Sequence, residues 1–130
     1  MNDLSSALRI TSSGLSANRT WMNVVSNNLA NANSVRTETT TPWRRQDVEM
    51  QGGPDGVKVV AIVQDMRPLS TKYDPSSKFR DKDGNVEASN VEPLVEMVNM
   101  IAASRSYEAN VEAFNTVKGM IKSALNIGKV

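Results

Sequence analysis

With 130 residues, 39% of them apolar and 5% aromatic, and 15 basic against 14 acidic side chains, the chain has room for one small domain with long arms and no charge excess with which to recruit nucleic acid or an anionic membrane. Cysteine and histidine are both absent, which excludes disulfides, thiolate nucleophiles, zinc sites of the usual composition and most proton-transfer machinery near neutral pH. No basic leader with a continuous apolar run opens the sequence, so no cleaved secretory signal is expected, and no run of about 18 apolar residues is present for a membrane helix.

The first arm runs from about Leu4 to Ala32. Leu4, Leu8, Leu15, Met22, Val25, Leu29 and Ala32, with Thr11 and Asn18 between them, alternate spacings of four and three, which is a heptad seam. Such a helix would extend roughly 43 Å, against a radius of gyration of about 14 Å for a compact chain of this length. It must therefore protrude or join others. No side chain between Arg19 and Arg36 is ionisable, and Asn23, Asn27 and Asn31 fall opposite the Met22, Val25 and Leu29 stripe. Amides offer donors and acceptors without the desolvation penalty of a charge, so this helix reads as buried on both sides.

The middle region, about Val35 to Asn90, changes period. Thr37, Thr39, Thr40, Thr41 and Pro42 disfavour helix, and Gln51-Gly52-Gly53-Pro54-Asp55-Gly56 is a turn cluster followed by the β-branched run Val57 to Met66. A hairpin with a long loop is expected there, and mostly loop from Arg67 to Asn90. Asp81-Lys82-Asp83-Gly84-Asn85 has a calcium-loop look, but the sixth position is Val86 where that loop needs glycine, so a plain Asp-Gly turn is the reading. Trp43-Arg44-Arg45 is a single basic pair without a basic stripe and reads as a solvated strand edge or an ionic contact with a neighbour. Asn18-Arg19-Thr20 fits a glycosylation triplet but lies within a predicted helix.

The third region, about Val91 to Ile127, returns to helix, with Asn90 as its cap, Glu92 and Pro93 suited to the first turn and Gly128 as its stop. Leu94, Met97, Ile101, Ser104, Tyr107, Val111, Phe114, Val117, Ile121 and Ala124 recur every three or four residues, with Leu125 adjoining. Both arms exceed what the small middle region can cover. Burying a stripe residue gives roughly 1.5–3 kcal/mol against roughly 1–2 kcal/mol for each backbone residue fixed, so arms that are marginal alone and ordered by neighbours are expected.

The stretch Ser13-Gly14-Leu15-Ser16-Ala17-Asn18-Arg19, followed by Met22 to Asn33, resembles the N-terminal motif of the flagellar rod and hook axial proteins, and Val95 to Asn110 resembles their C-terminal motif. Pro42-Trp43-Arg44-Arg45-Gln46-Asp47-Val48 and the ending Ala124-Leu125-Asn126-Ile127-Gly128-Lys129 are similar to the short proximal-rod members of that family, while Glu38-Thr39-Thr40-Thr41 departs from their usual glycine-containing loop. The resemblance spans nearly the whole chain. It implies a structural subunit of the basal-body rod, exported uncleaved by the flagellar type III apparatus and assembled in the periplasm with other rod proteins and copies of itself. Both terminal helices would lie in the tube's inner wall, with the β-rich part outside.

The expected fold is α+β, mainly α: long terminal helices packed as a coiled-coil-like pair around residues 1–34 and 91–130, with a small hairpin-containing region at 35–90. The expected subunit-interface residues are Leu8, Leu15, Met22, Asn23, Val25, Asn27, Leu29, Asn31, Met97, Ile101, Tyr107, Val111, Phe114, Ile121 and Leu125. No catalytic, metal or cofactor-binding residue is expected, and neither nucleic acid nor membrane insertion. A secreted coiled-coil adaptor and an enzyme are the competing classes; no acidic pair is placed by sequence as an acid and base.

Overall fold

A computed structural model describes residues 2–129. In chain order it contains α1 (Asn2–Ala30), β1 (Gln46–Gly53), β2 (Gly56–Gln64), β3 (Ser70–Tyr73), β4 (Asn85–Ala88) and α2 (Pro93–Ile127). This is the α+β, mainly helical arrangement expected, with terminal helices of 29 and 35 residues enclosing two small antiparallel sheets.

α1 starts with Asp3 in its first turn, where a carboxylate meets the positive end of the helix dipole. Asn31 and Ser34 close the turn that ends it, through Asn31 N to Asn27 O and Ser34 N to Asn31 O, both at 3.1 Å. α2 begins at Pro93, tolerated because the first-turn amides lack intrahelical partners. Glu92 stands at the cap position without a side-chain cap bond, and the expected cap, Asn90, is engaged elsewhere. Gly128 follows the last helical residue with right-handed φ of −74°, so the helix ends there without a left-handed glycine.

The helices run antiparallel, since Gly14 lies against Asn110, Met22 against Ser104 and Asn28 against Glu96. Their contact face on α2 passes through Glu96, Ala103, Tyr107, Asn110 and Phe114. Met97 and Ile101, expected on that seam, instead point outward at 53% and 56% exposure. The helix is rotated because Glu96 is drawn into the interior by Arg45 and Asn28.

β1 and β2 form a hairpin whose register closes at Gly53–Gly56, leaving Pro54-Asp55 as a two-residue loop rather than the long one expected. Gly56 has φ of +113°, a conformation glycine adopts without strain, and Val60 is the extra residue of a bulge opposite Glu49 and Met50. Val57, Val59, Ala61 and Val63 are half-buried and alternate with exposed residues, as a strand with one covered face must. That face lies on α1. The hairpin and α2 both pack on α1 and not on each other, which makes α1 the central element.

The segment expected to be mostly loop forms a second hairpin, with Ser70–Tyr73 paired to Asn85–Ala88 and tied to the chain leaving α1 by a bridge between Val35 and Ala88. Asp81 Oδ1 accepts from Asp83 N at 2.8 Å and Asn85 N at 2.9 Å, and Gly84 has φ of +82°, so this stretch is the expected Asp-Gly turn. The core is thin and made of small or β-branched side chains: Ala17, Val24, Val25, Val86, Val91 and Ala103.

Candidate assembly site

Two features stand out: a polar hub that fixes how the elements meet, and helix faces that none of the described residues covers. The hub sits where α1 ends, β1 begins and α2 begins. Asn28, fully buried on α1, donates from Nδ2 to Gln46 O at 2.8 Å and accepts at Oδ1 from Gln46 N at 2.9 Å. The same Oδ1 accepts from Trp43 Nε1 at 3.1 Å, and Nδ2 also reaches Glu96 Oε2 at 3.3 Å. One amide thus joins α1 to the first hairpin, the preceding loop and α2.

Glu96 is fully buried, and Arg45 Nε donates to its Oε1. A buried carboxylate left unpaired is strongly destabilising; here the guanidinium and an amide satisfy it. Arg45 also approaches Asp47 at 3.2 Å and Asp65 at 3.8 Å. Burial alone would disfavour its cation, but the hydrogen bonds and charges of Glu96 and Asp47 outweigh this and raise its pKa. Arg67 donates to both carboxylate oxygens of Asp65, which holds Asp65 at about 2.

Asn90 completes the junction: Oδ1 accepts from Arg45 N at 2.7 Å, and Nδ2 donates to Asp65 O at 3.0 Å and Arg67 O at 3.2 Å, clamping both ends of the β1–β2 hairpin. At the far end of the hairpin, Ser13 Oγ donates to Ile10 O at 2.7 Å and accepts from Val57 N at 3.0 Å, which docks the turn on α1. Gly14 beside it permits close approach of α2, because a Cβ there would stand 2.9 Å from Asn110 Nδ2. Among the described residues no buried side-chain polar atom lacks a partner.

The expected interface residues divide by position. Val25 is 1% exposed and belongs to the intrachain core. Leu8, Leu15, Met22, Leu29, Asn31, Tyr107, Val111, Phe114 and Ile121 are half-buried. Asn23, Asn27, Met97, Ile101 and Leu125 are exposed. Of the amide face, Asn23 and Asn27 are uncovered by the described residues while Asn31 is half-buried, and the buried amides of α1 are Asn18 and Asn28 instead. Arg45, read from sequence as a solvated edge or a neighbour's contact, turns inward to Glu96. Only Glu96's place inside the apolar run Val95 to Val98 hints at this, since its partner lies 51 residues away.

Around Glu96 the outer face of α2 is apolar. Leu94 is 75% exposed, and Met97, Val98 and Ile101 are more than half exposed. An exposed face of this kind marks a contact surface. No group of three or more acidic side chains among the described residues is placed to hold a metal, and no helix there is long and apolar enough to cross a membrane.

A long antiparallel helix pair with an exposed apolar face, anchored to a small β-rich body, is a fold with a helix surface left for a partner. Residues 2–36 match the model of the flagella basal body rod protein family, and residues 82–127 match that of the C-terminal region of the flagellar basal body rod FlgEFG proteins. The chain is 37% identical to the flagellar basal-body rod protein FlgC of Bacillus subtilis strain 168 and 40% identical to that of Borreliella burgdorferi, in each case over 95% of this chain and 97% of the relative. It is 38% identical to FlgC of Salmonella typhimurium, over 92% of this chain and 94% of the relative. The chain belongs to the FlgC family of flagellar basal-body rod proteins, and is a structural subunit of that rod rather than an enzyme. Both matched regions coincide with the elements built around Asn28 and Glu96.

Proposed function

We propose that the chain works in the proximal rod, where copies of it and other rod proteins pack through α1 and α2 into the shaft that transmits motor torque. The observation that carries this reading is the uncovered apolar face Leu94, Met97, Val98 and Ile101, held outward by the inward Glu96. In the rod this face meets a neighbouring subunit, and so does the uncharged face of α1 that bears Asn23 and Asn27. Residues 1–34 and 91–130 act as assembly arms and 35–90 as the outward-facing body. Its partners are rod subunits and, before assembly, the flagellar type III export apparatus, which delivers it uncleaved to the periplasm; it engages neither nucleic acid nor the lipid bilayer. The ends of the arms gain order on assembly, a reading supported by the exposure of every described residue from Lys122 to Lys129.

The test is Ile101→Asp in cells that make no other copy of the protein. The side chain is already exposed, so the purified variant keeps the parent's circular dichroism. Swimming and rod completion are lost if the face is a subunit contact; normal swimming contradicts the reading.

A further inference from the structure

The last turns of α2 carry features that the single chain does not use. Continuing the register set by Gly14–Asn110 and Met22–Ser104 brings the start of α1 level with Lys122, so the end of α2 runs past its partner helix. On the turns that lead into this overhang, Asn115, Lys118, Gly119, Ile121, Lys122 and Leu125 line a mostly apolar concavity. Gly119 weakens the middle of a helix, yet among the described residues no atom lies within 4 Å of the position a Cβ would take, so none of them requires glycine there. A closely approaching neighbour would.

The charges repeat this pattern. Glu108 and Glu112 are exposed, four residues apart; Lys118 and Lys122 are exposed, also four apart. None of the four makes an ion pair among the described residues. Like charges at this spacing repel along an isolated helix, so each pair is unfavourable where it stands. No acidic residue follows Glu112 in the sequence. At about 100° per residue the lysine pair lies about 80° round the helix from the glutamate pair. The glutamate pair of one copy can meet the lysine pair of another either antiparallel about a two-fold axis or parallel and displaced in a propagating contact, and the polarity of a shaft selects the second.

We propose that the end of α2 docks on the outer side of α2 in a second copy of this chain, parallel to it and displaced by about ten residues, or about 15 Å. Lys118 and Lys122 of one copy then meet Glu108 and Glu112 of the next, and Gly119 admits the neighbouring helix. The inference rests on the axial-subunit reading, since parallel, displaced copies are what a polar shaft contains.

Charge exchange tests it in cells. Lys118→Glu with Lys122→Glu, and separately Glu108→Lys with Glu112→Lys, each replace one like-charge pair by another and so leave the repulsion within the helix unchanged. Each is expected to lower the yield of complete basal bodies about tenfold or more, and the fourfold exchange is expected to restore it. Normal yield from either pair, or no restoration by the fourfold variant, overturns the docking. If these variants assemble normally while Ile101→Asp does not, only the docking fails; if Ile101→Asp assembles too, the axial reading itself fails.

The natural absence of cysteine permits a second readout. Glu108→Cys with Lys118→Cys places thiols too far apart for a bond within one helix. Oxidised basal bodies should yield a covalent ladder of this subunit extending beyond dimers. Monomers alone, or dimers trapped by Glu112→Cys with Lys118→Cys in place of that ladder, would mean an absent or antiparallel contact.

Discussion

The carboxamide of Asn28 meets the backbone of Gln46 as a neighbouring strand would, donating to its carbonyl at 2.8 Å and accepting from its amide at 2.9 Å. A helix side chain thereby starts a β-strand. The pairing explains why an amide rather than an aliphatic residue occupies a fully buried position on the face of α1 that meets the rest of the chain.

Asn28→Ala leaves the Gln46 amide and carbonyl, the Trp43 indole N–H and one Glu96 oxygen with a partner missing. Each buried polar group so orphaned costs about 1–3 kcal/mol, and partial access of water reduces the sum. A loss of about 3 kcal/mol or more in urea unfolding of the purified subunit is expected; a loss under about 1 kcal/mol would show that Asn28 does not organise the junction.

Arg45→Met leaves Glu96 buried with Asn28 alone and should destabilise by about 3–5 kcal/mol. Adding Glu96→Leu removes the stranded charge and should recover most of that loss. Additive effects of the two substitutions would show that the side chains are not coupled.

Gly56→Ala introduces a Cβ that would overlap Ser13 Oγ, at a backbone φ of +113° that alanine rarely adopts. Destabilisation of about 2 kcal/mol is expected, with faster hydrogen exchange at the Val57 amide as the hairpin tip lifts from α1. Unchanged exchange there would contradict the Ser13 docking contact.

Asp65 titrates at about 2, below the usual carboxylate value, because Arg67 hydrogen-bonds its ionised form. A depressed folded-state pKa contributes stability that is complete above about pH 4 and is lost as pH falls towards 2. Arg67 is largely exposed, so the contribution is modest. Carboxyl NMR titration should find Asp65 near 2 in the parent and near the ordinary value of about 4 in Arg67→Ala.

The two helices were legible because their apolar positions recur over many turns, and the first hairpin because Gly52 to Gly56 separates a β-branched run from its partner. The second hairpin was not. Every residue of Ser70–Tyr73 is exposed, and of its partner strand only Val86 is buried, so neither segment carries a periodic signal. The rotation of α2 was hidden for a different reason. Met97 and Ile101 fit a heptad seam as well as Met100 and Ala103 do, and the choice is made by Arg45 pulling Glu96 inward across 51 residues of sequence. The same displacement turns an expected internal seam into an external face. Nothing in the amide-rich stretch sets Asn28 apart from Asn27, because the strand that Asn28 binds begins 18 residues later.

In the assembled rod the outer face of α2 should be a subunit contact. Electron cryomicroscopy of intact basal bodies carrying this subunit tests it most directly. In such a map Leu94, Met97, Val98 and Ile101 should be covered by a neighbouring rod subunit, with Glu96 still turned inward onto Arg45. A rod in which those four side chains face solvent would contradict it.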